Sequence, residues 1–307
     1  MAVTVATARV TVVGHGKLSA DDTHECDILI DGAITESDAA NFSPTGSETV
    51  CLDSVGGSYD AALKIAEILI TTGTSTAIPA KAKCYSACAI IFMAGSAQGE
   101  GGLYISRKLS ILGRLGFHAP FIEDGGQKVD AVTANRAYRA AITAVGRFLA
   151  MVNRSSATPK EWVLPLPLLA EMLSRGPDEF YEITSLREAM QYHIDLTDYE
   201  QPRQVSRETA CIACFNIIGR PSTLPCRTEH MDSKTDGDTT IFSYRFILSE
   251  ETQAFCNIIA AHAVVGDHGL ILEGGINEKV QAYDSDLNFL YLYGFDRKLM
   301  DLPRAKK

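Results

Sequence analysis

Residues 49–73, TVCLDSVGGSYDAALKIAEILITTG, leave a chain few ways to fold. A β-branched apolar run meets a glycine pair, then a segment in which Ala61, Leu63, Ile65, Ala66, Ile68 and Leu69 stripe one side of a helix. Residues 75–95, STAIPAKAKCYSACAIIFMAG, repeat the order of strand, turn and apolar helix. Strand-helix units in succession bury both element types when the strands run parallel and each helix crosses the sheet in a right-handed sense. The spacing therefore predicts an α/β fold with a mainly parallel sheet. ARVTVVG (8–14) and CDILIDGAI (26–34) read as further strands, and Leu115 to His118 as another short one.

Residues 128–153 have the alanine-rich texture of a long helix. SSATPKEW supplies capping residues for a second helix reaching Ser174, a small helix covers Leu186 to Tyr192, and HIDL returns to a strand. After Tyr199 polar breakers and clustered cysteines replace this pattern, which places a boundary between a domain at 1–198 and an accessory module at 199–307. The second part, with strand candidates TTIFSYRFIL and NFLYLYGF and the helix-like SEETQAFCNIIAAHAVV, reads as a smaller α+β module.

Charge narrows the partners. A net charge of -10 and a pI near 5.2 repel polyanions over most of the surface, which argues against nucleic acid and anionic membranes. No apolar run is long enough to span a bilayer. The N-terminus, MAVTVATARVTVVGHGK, lacks the charged leader and apolar core of an intact secretory signal. The 8 cysteines, an even count, nevertheless fit disulfides in an oxidising compartment, so a periplasmic or secreted location is expected, with the signal already removed.

Serine chemistry needs a hydroxyl held at a turn, an imidazole to take its proton, and preorganised N–H donors for the oxyanion. Ser86 stands where KCY ends and the apolar helix begins, so its hydroxyl and the N–H of Ala87 face the carboxyl edge of the sheet, at a helix N-terminus. The DSVGGS turn, Asp53 to Ser58, lets the backbone approach closely, and Gly56 can present a second donor. His118, in RLGFHAP, ends the next strand. Taken singly, each has a plainer reading: an ordinary tight turn, a helix N-cap serine, a core histidine. Their order on successive strand ends points to one site.

In order and spacing, LDSVGGSYDAALKIAEIL, CYSACAIIFMAG and GFHAP resemble the Clp protease proteolytic subunit and the wider Clp/crotonase superfamily, most closely the Clp-like proteins of bacterial envelopes. The resemblance covers roughly 26–198 and implies a core of stacked ββα units. It also implies Ser86 as nucleophile, His118 as base, and the N–H groups of Gly56 and Ala87 as oxyanion hole. Two departures accompany it. GSAQGEGGLYISRKLSILGR lengthens the stretch between Ser86 and His118, as a loop by the site. The acidic member is open among Asp178, which is preferred, Glu182, or none, a gapless overlay placing Tyr181 there. The resemblance further implies a homo-oligomer through the 128–153 helix.

The expected function is a serine hydrolase, a peptidase acting on peptide or protein substrates without metal or cofactor. The alternative is a catalytically silent binding or scaffold protein of the envelope, and an acyl-CoA enzyme is a third reading. Cys84 and Cys88 either bridge across Ser86, pair with Cys51 or Cys26, or pack inertly. Cys211, Cys214, Cys226 and Cys256 suit two disulfides better than zinc. Asp21, Asp22, His24, Glu25, Glu123 and Asp124 read as solvated loops, Ser249 to Gln253 as a capping box, and Trp162 as core or a groove.

Overall fold

Six strands make the main sheet of the first of two units into which the chain divides, Met1–Thr184 with Glu188–Asp198; the other is Ser185–Arg187 with Tyr199–Lys307. The computed structural model describes residues 9–16, 18, 25–99, 102–121, 130–154, 164–201, 205–218, 227–247, 253–261, 270–276, 279–283 and 288–305. Asp21, Asp22, His24, Glu123, Asp124, Trp162, Cys226 and Ser249 lie outside the described residues.

In chain order the first unit runs β1 (Arg9–Gly16), β2 (Cys26–Asp31), α1 (Glu36–Asn41), β3 (Thr49–Asp53), α2 (Tyr59–Thr72), β4 (Ser75–Ile78), β5 (Lys83–Tyr85) and α3 (Ala87–Met93). It continues with β6 (Ser96–Gly99), β7 (Gly102–Ile105), β8 (Arg107–Ser110), β9 (Arg114–Phe117), α4 (Ala131–Arg154), α5 (Leu166–Leu173) and β10 (Tyr181–Glu182). α6 (Leu186–Gln191), of which Leu186 and Arg187 are counted with the other unit, and β11 (Asp195–Thr197) follow. The main sheet has the order β1-β2-β3-β4-β8-β11 and is parallel from β2 onward, with β1 antiparallel at its edge. A second sheet, β10-β9-β5, pairs β5 parallel and β10 antiparallel to β9. The fold is thus mixed α/β with sheets of parallel strands.

The helices follow from their ends and faces. Ser58 caps α2 by accepting the Ala61 N–H at 3.2 Å, and Gly73 at φ 71 terminates it. Ala61, Ala62, Leu63, Ile65, Ala66, Leu69 and Ile70 form its buried side. α3 is apolar all round, and every one of its residues is buried.

The stretch between Ser86 and His118, expected as a loop, instead forms the β6–β7 hairpin and the interior strand β8. β8 opens with Arg107, a fully buried guanidinium that donates to the carbonyls of Met93 (2.7 Å), Tyr192 (2.5 Å) and His193 (3.0 Å). Burial pushes its pKa down to about 9, against the opposing charge of Asp195.

In the second unit α7 (Arg207–Ile217) covers a five-stranded antiparallel sheet of β12 (Met231–Asp236), β13 (Thr239–Ile247), β14 (Gln253–Ala261), β15 (Leu270–Ile276) and β16 (Lys279–Tyr283). Ala210, Cys214 and Phe215 share a core with Phe242, Tyr244, Cys256 and Ile258. Residues 253–261, expected as helix, form a strand: Ala254, Cys256, Ile258 and Ala260 are buried while Phe255, Asn257 and Ile259 are half-buried, a period of two. Residues 288–292 form a short 3-10 turn rather than a strand.

Among the described residues the disulfides are Cys26–Cys51, Cys84–Cys88 and Cys214–Cys256, and Cys211 is disulfide-bonded as well. Cys214 and Cys256 are therefore not zinc ligands. No described helix is long and apolar enough to cross a membrane.

Candidate active site

Two strand-to-helix turns, after β3 and after β5, are stitched together by backbone bonds. The Ser54 N–H donates to the Lys83 carbonyl at 2.6 Å, and the Tyr85 N–H returns a bond to the Ser54 carbonyl at 3.0 Å. β5 also lies against β9, and the Ser86 N–H donates to the Gly116 carbonyl at 3.1 Å. Tyr85 anchors the near side by donating its hydroxyl to Glu182 at 3.2 Å.

These constraints hold Ser86 at φ 58, ψ -124, a backbone region that residues with a Cβ seldom occupy. Its side chain is half-buried and forms no cap bond with α3. The plain reading of this serine as an N-cap is thereby removed, since a capping hydroxyl would accept a first-turn N–H. The N–H of Ala87, at the start of α3, has no acceptor among the described residues.

The opposite turn contributes Gly56 (φ 108) and Gly57 (φ 145). A Cβ on Gly56 would stand 2.7 Å from Ser86 Cβ and 3.2 Å from its Oγ, so the glycine lies directly against the serine side chain. The free donor expected from Gly56 is not there, because its N–H donates to Ser54 Oγ at 3.1 Å. The adjacent Gly57 N–H has no acceptor among the described residues. Sequence reasoning missed Gly57 because only the position of the Ser54 hydroxyl tells the two glycines apart.

His118 follows β9 and is buried against Phe180 and Phe121, at ring distances of 4.9 and 5.2 Å. Its Nδ1 lies 2.8 Å from the Ala119 carbonyl. A carbonyl can only accept, so the proton is assigned to Nδ1 and the Nε2 lone pair is left to act as a base. Burial lowers the His118 pKa, with the Ala119 bond opposing it, which favours the neutral ring.

Ser86, Ala87, Gly56, Gly57 and His118 line one cavity of about 520 Å3, with Phe121 and Phe180 among its walls. No hydrogen bond joins the Ser86 hydroxyl to His118 among the described residues. Asp178 sits exposed in the turn after Pro177, with no hydrogen bond to His118. Glu182 is engaged with Tyr85, and Tyr181 with Glu188 and Tyr192. The position an acidic residue would take at Nδ1 is held by the Ala119 carbonyl. No group of metal-ligating side chains occurs among the described residues.

No family model matches the chain, and no curated protein does. Among solved structures it is similar to a mutant of ClpP1 from Listeria monocytogenes, at 16% identity and a TM-score of 0.37, over 55% of this chain and 89% of that one. A likeness that loose carries no weight for the chemistry, which rests on the cavity.

Proposed function

We propose that this chain is a serine hydrolase cleaving peptide bonds, with a Clp/crotonase-like core in residues 1–198 and an accessory module in 199–307. The observation that carries this reading is Ser86: a non-glycine residue at positive φ whose hydroxyl leaves the helix uncapped and shares a cavity with His118. In this mechanism His118 Nε2 takes the Ser86 proton as Oγ attacks the carbonyl carbon. The resulting oxyanion sits between the N–H groups of Ala87 and Gly57. Collapse passes the proton from His118 to the leaving amine, and a water molecule repeats the sequence to free the acyl group. The Ala119 carbonyl does the orienting work usually given to a carboxylate, and Asp178 is not needed for it. Such a dyad forgoes the ionic stabilisation of the imidazolium and turns over more slowly than a full triad.

The buried disulfides fit an oxidising compartment, so the proposed location is periplasmic or secreted. The proposed partners are peptide or protein substrates and further copies of the chain. A catalytically silent binding protein is the second reading, favoured by the missing Ser86–His118 hydrogen bond and the carbonyl at Nδ1. One experiment separates them. Ser86→Ala is expected to abolish both peptide turnover and labelling by a fluorophosphonate probe. Absence of labelling in the native chain supports the silent reading, and labelling that persists in the variant removes Ser86 from the mechanism.

A further inference from the structure

We propose that the Cys84–Cys88 disulfide is the positioning element of the Ser86 turn, an inference that rests on the hydrolase reading above. Cys84 lies in β5 and Cys88 in the first turn of α3, with Cα atoms 5.1 Å apart and Ser86 midway between them. A residue carrying a Cβ at φ 58 relaxes to an ordinary conformation unless its surroundings forbid it.

On the strand side the turn is well held, by the Tyr85 and Ser86 N–H bonds and by β9. On the helix side the Ser86 carbonyl accepts the Ala89 N–H at 2.9 Å, but among the described residues no hydrogen bond from residues 87–89 reaches back to β5. The start of α3 has no side-chain cap, and the Ala87 N–H has no acceptor among the described residues. Both groups must stay uncommitted if one is to attack and the other to receive the oxyanion. The usual means of fixing a helix start is thus ruled out by the chemistry. A covalent link from strand to helix fixes it while using neither group.

Both sulfurs are fully buried, out of reach of an attacking thiolate, so the bridge is a permanent brace and not a redox switch. The same unit supplies a control. Cys26–Cys51 joins β2 to β3 with a sequence separation of 25, against 4 for Cys84–Cys88. By loop-closure entropy the longer loop contributes more to global stability. Positioning and stability therefore fall on different bridges.

The test compares the full chain with C84A/C88A, with C84V/C88A to refill the space should the alanine pair not fold, and with C26A/C51A. The rate of Ser86 labelling by a fluorophosphonate and the kcat for a peptide ester are expected to fall at least ~10-fold in the 84/88 variants, with KM changed less than ~3-fold. Amide exchange at Ser86 and Ala89, whose N–H groups donate to the Gly116 and Ser86 carbonyls, is expected to quicken. C26A/C51A is expected to lose more thermal stability yet label at the native rate well below its unfolding temperature. Native-rate labelling in the 84/88 variants overturns the proposal, as does an equal loss in C26A/C51A. If the native chain is not labelled, the hydrolase reading fails by itself. The exchange measurement then decides the brace: unchanged protection at Ser86 and Ala89 overturns it, and lost protection supports it.

Discussion

The turns after β3 and β5 meet the same demand, a chain reversing from strand to helix with backbone at positive φ, by opposite means. The first uses glycine twice, and its conformation is free of Cβ strain. The second puts a serine where glycine would be easier and surrounds it with a disulfide, a strand pairing and two backbone bonds. Glycine serves where only backbone N–H groups are wanted. A strained side chain is retained where a hydroxyl must project into the cavity, and the scaffold then carries the cost.

The comparison breaks most visibly if the glycine turn tolerates a side chain. Gly56→Ala places a methyl 2.7 Å from Ser86 Cβ and 3.0 Å from the Tyr85 carbonyl, at a φ of 108. Strain of this kind costs on the order of 1–3 kcal/mol, and a displaced nucleophile loses ~100-fold in rate. Thermal unfolding and kcat/KM should show both losses. A G56A protein labelled at the native rate would separate this turn from the site altogether.

The serine turn gives a smaller effect of opposite sign. Ser86→Gly and Ser86→Ala both remove the hydroxyl, but only glycine relieves the backbone. Against relief of on the order of 1–3 kcal/mol stands the greater freedom of glycine in the unfolded chain, about 0.4–1 kcal/mol. S86G should therefore be more stable than S86A by about 1 kcal/mol in urea unfolding. The reverse order would mean that residue 86 is not under strain.

What could be read beforehand follows from where the physics lies. That Ser86, Ala87, the glycine turn and His118 come to one cavity was legible because each follows a strand end, which residue type marks; which of the two glycines keeps a free N–H was not. The partner of His118 was not, since a backbone carbonyl has no signature in sequence and the search for a carboxylate led to Asp178. β8 was missed because it is four residues long and begins with an arginine, whose burial is compensated by carbonyls at positions 93, 192 and 193. In 253–261 an alanine-rich composition masked alternation that becomes plain once β13 and β15 flank the segment.

The carbonyl at His118 has a consequence in pH, smaller than the effects above but particular to this arrangement. Burial lowers the folded-state pKa of His118 from its ordinary value near 6.5, with only the Ala119 bond opposing. As pH falls through ~6.5 the unfolded chain takes up the proton first. Unfolding is then favoured, and stability drops until the folded-state pKa is passed. Above ~6.5 neither state is protonated and the contribution is constant. His193 shifts in the same direction, through burial and the charge of Arg107, so the loss below ~6.5 contains both residues. His118→Gln should remove part of that slope in thermal unfolding and leave the rest. In the active protein the acidic limb of kcat/KM should fall below ~6.5, because the base must be neutral and no carboxylate raises its pKa. A limb at or above ~7 would mean that a carboxylate reaches the ring during turnover, and the contrast between a triad and this carbonyl-oriented dyad would collapse.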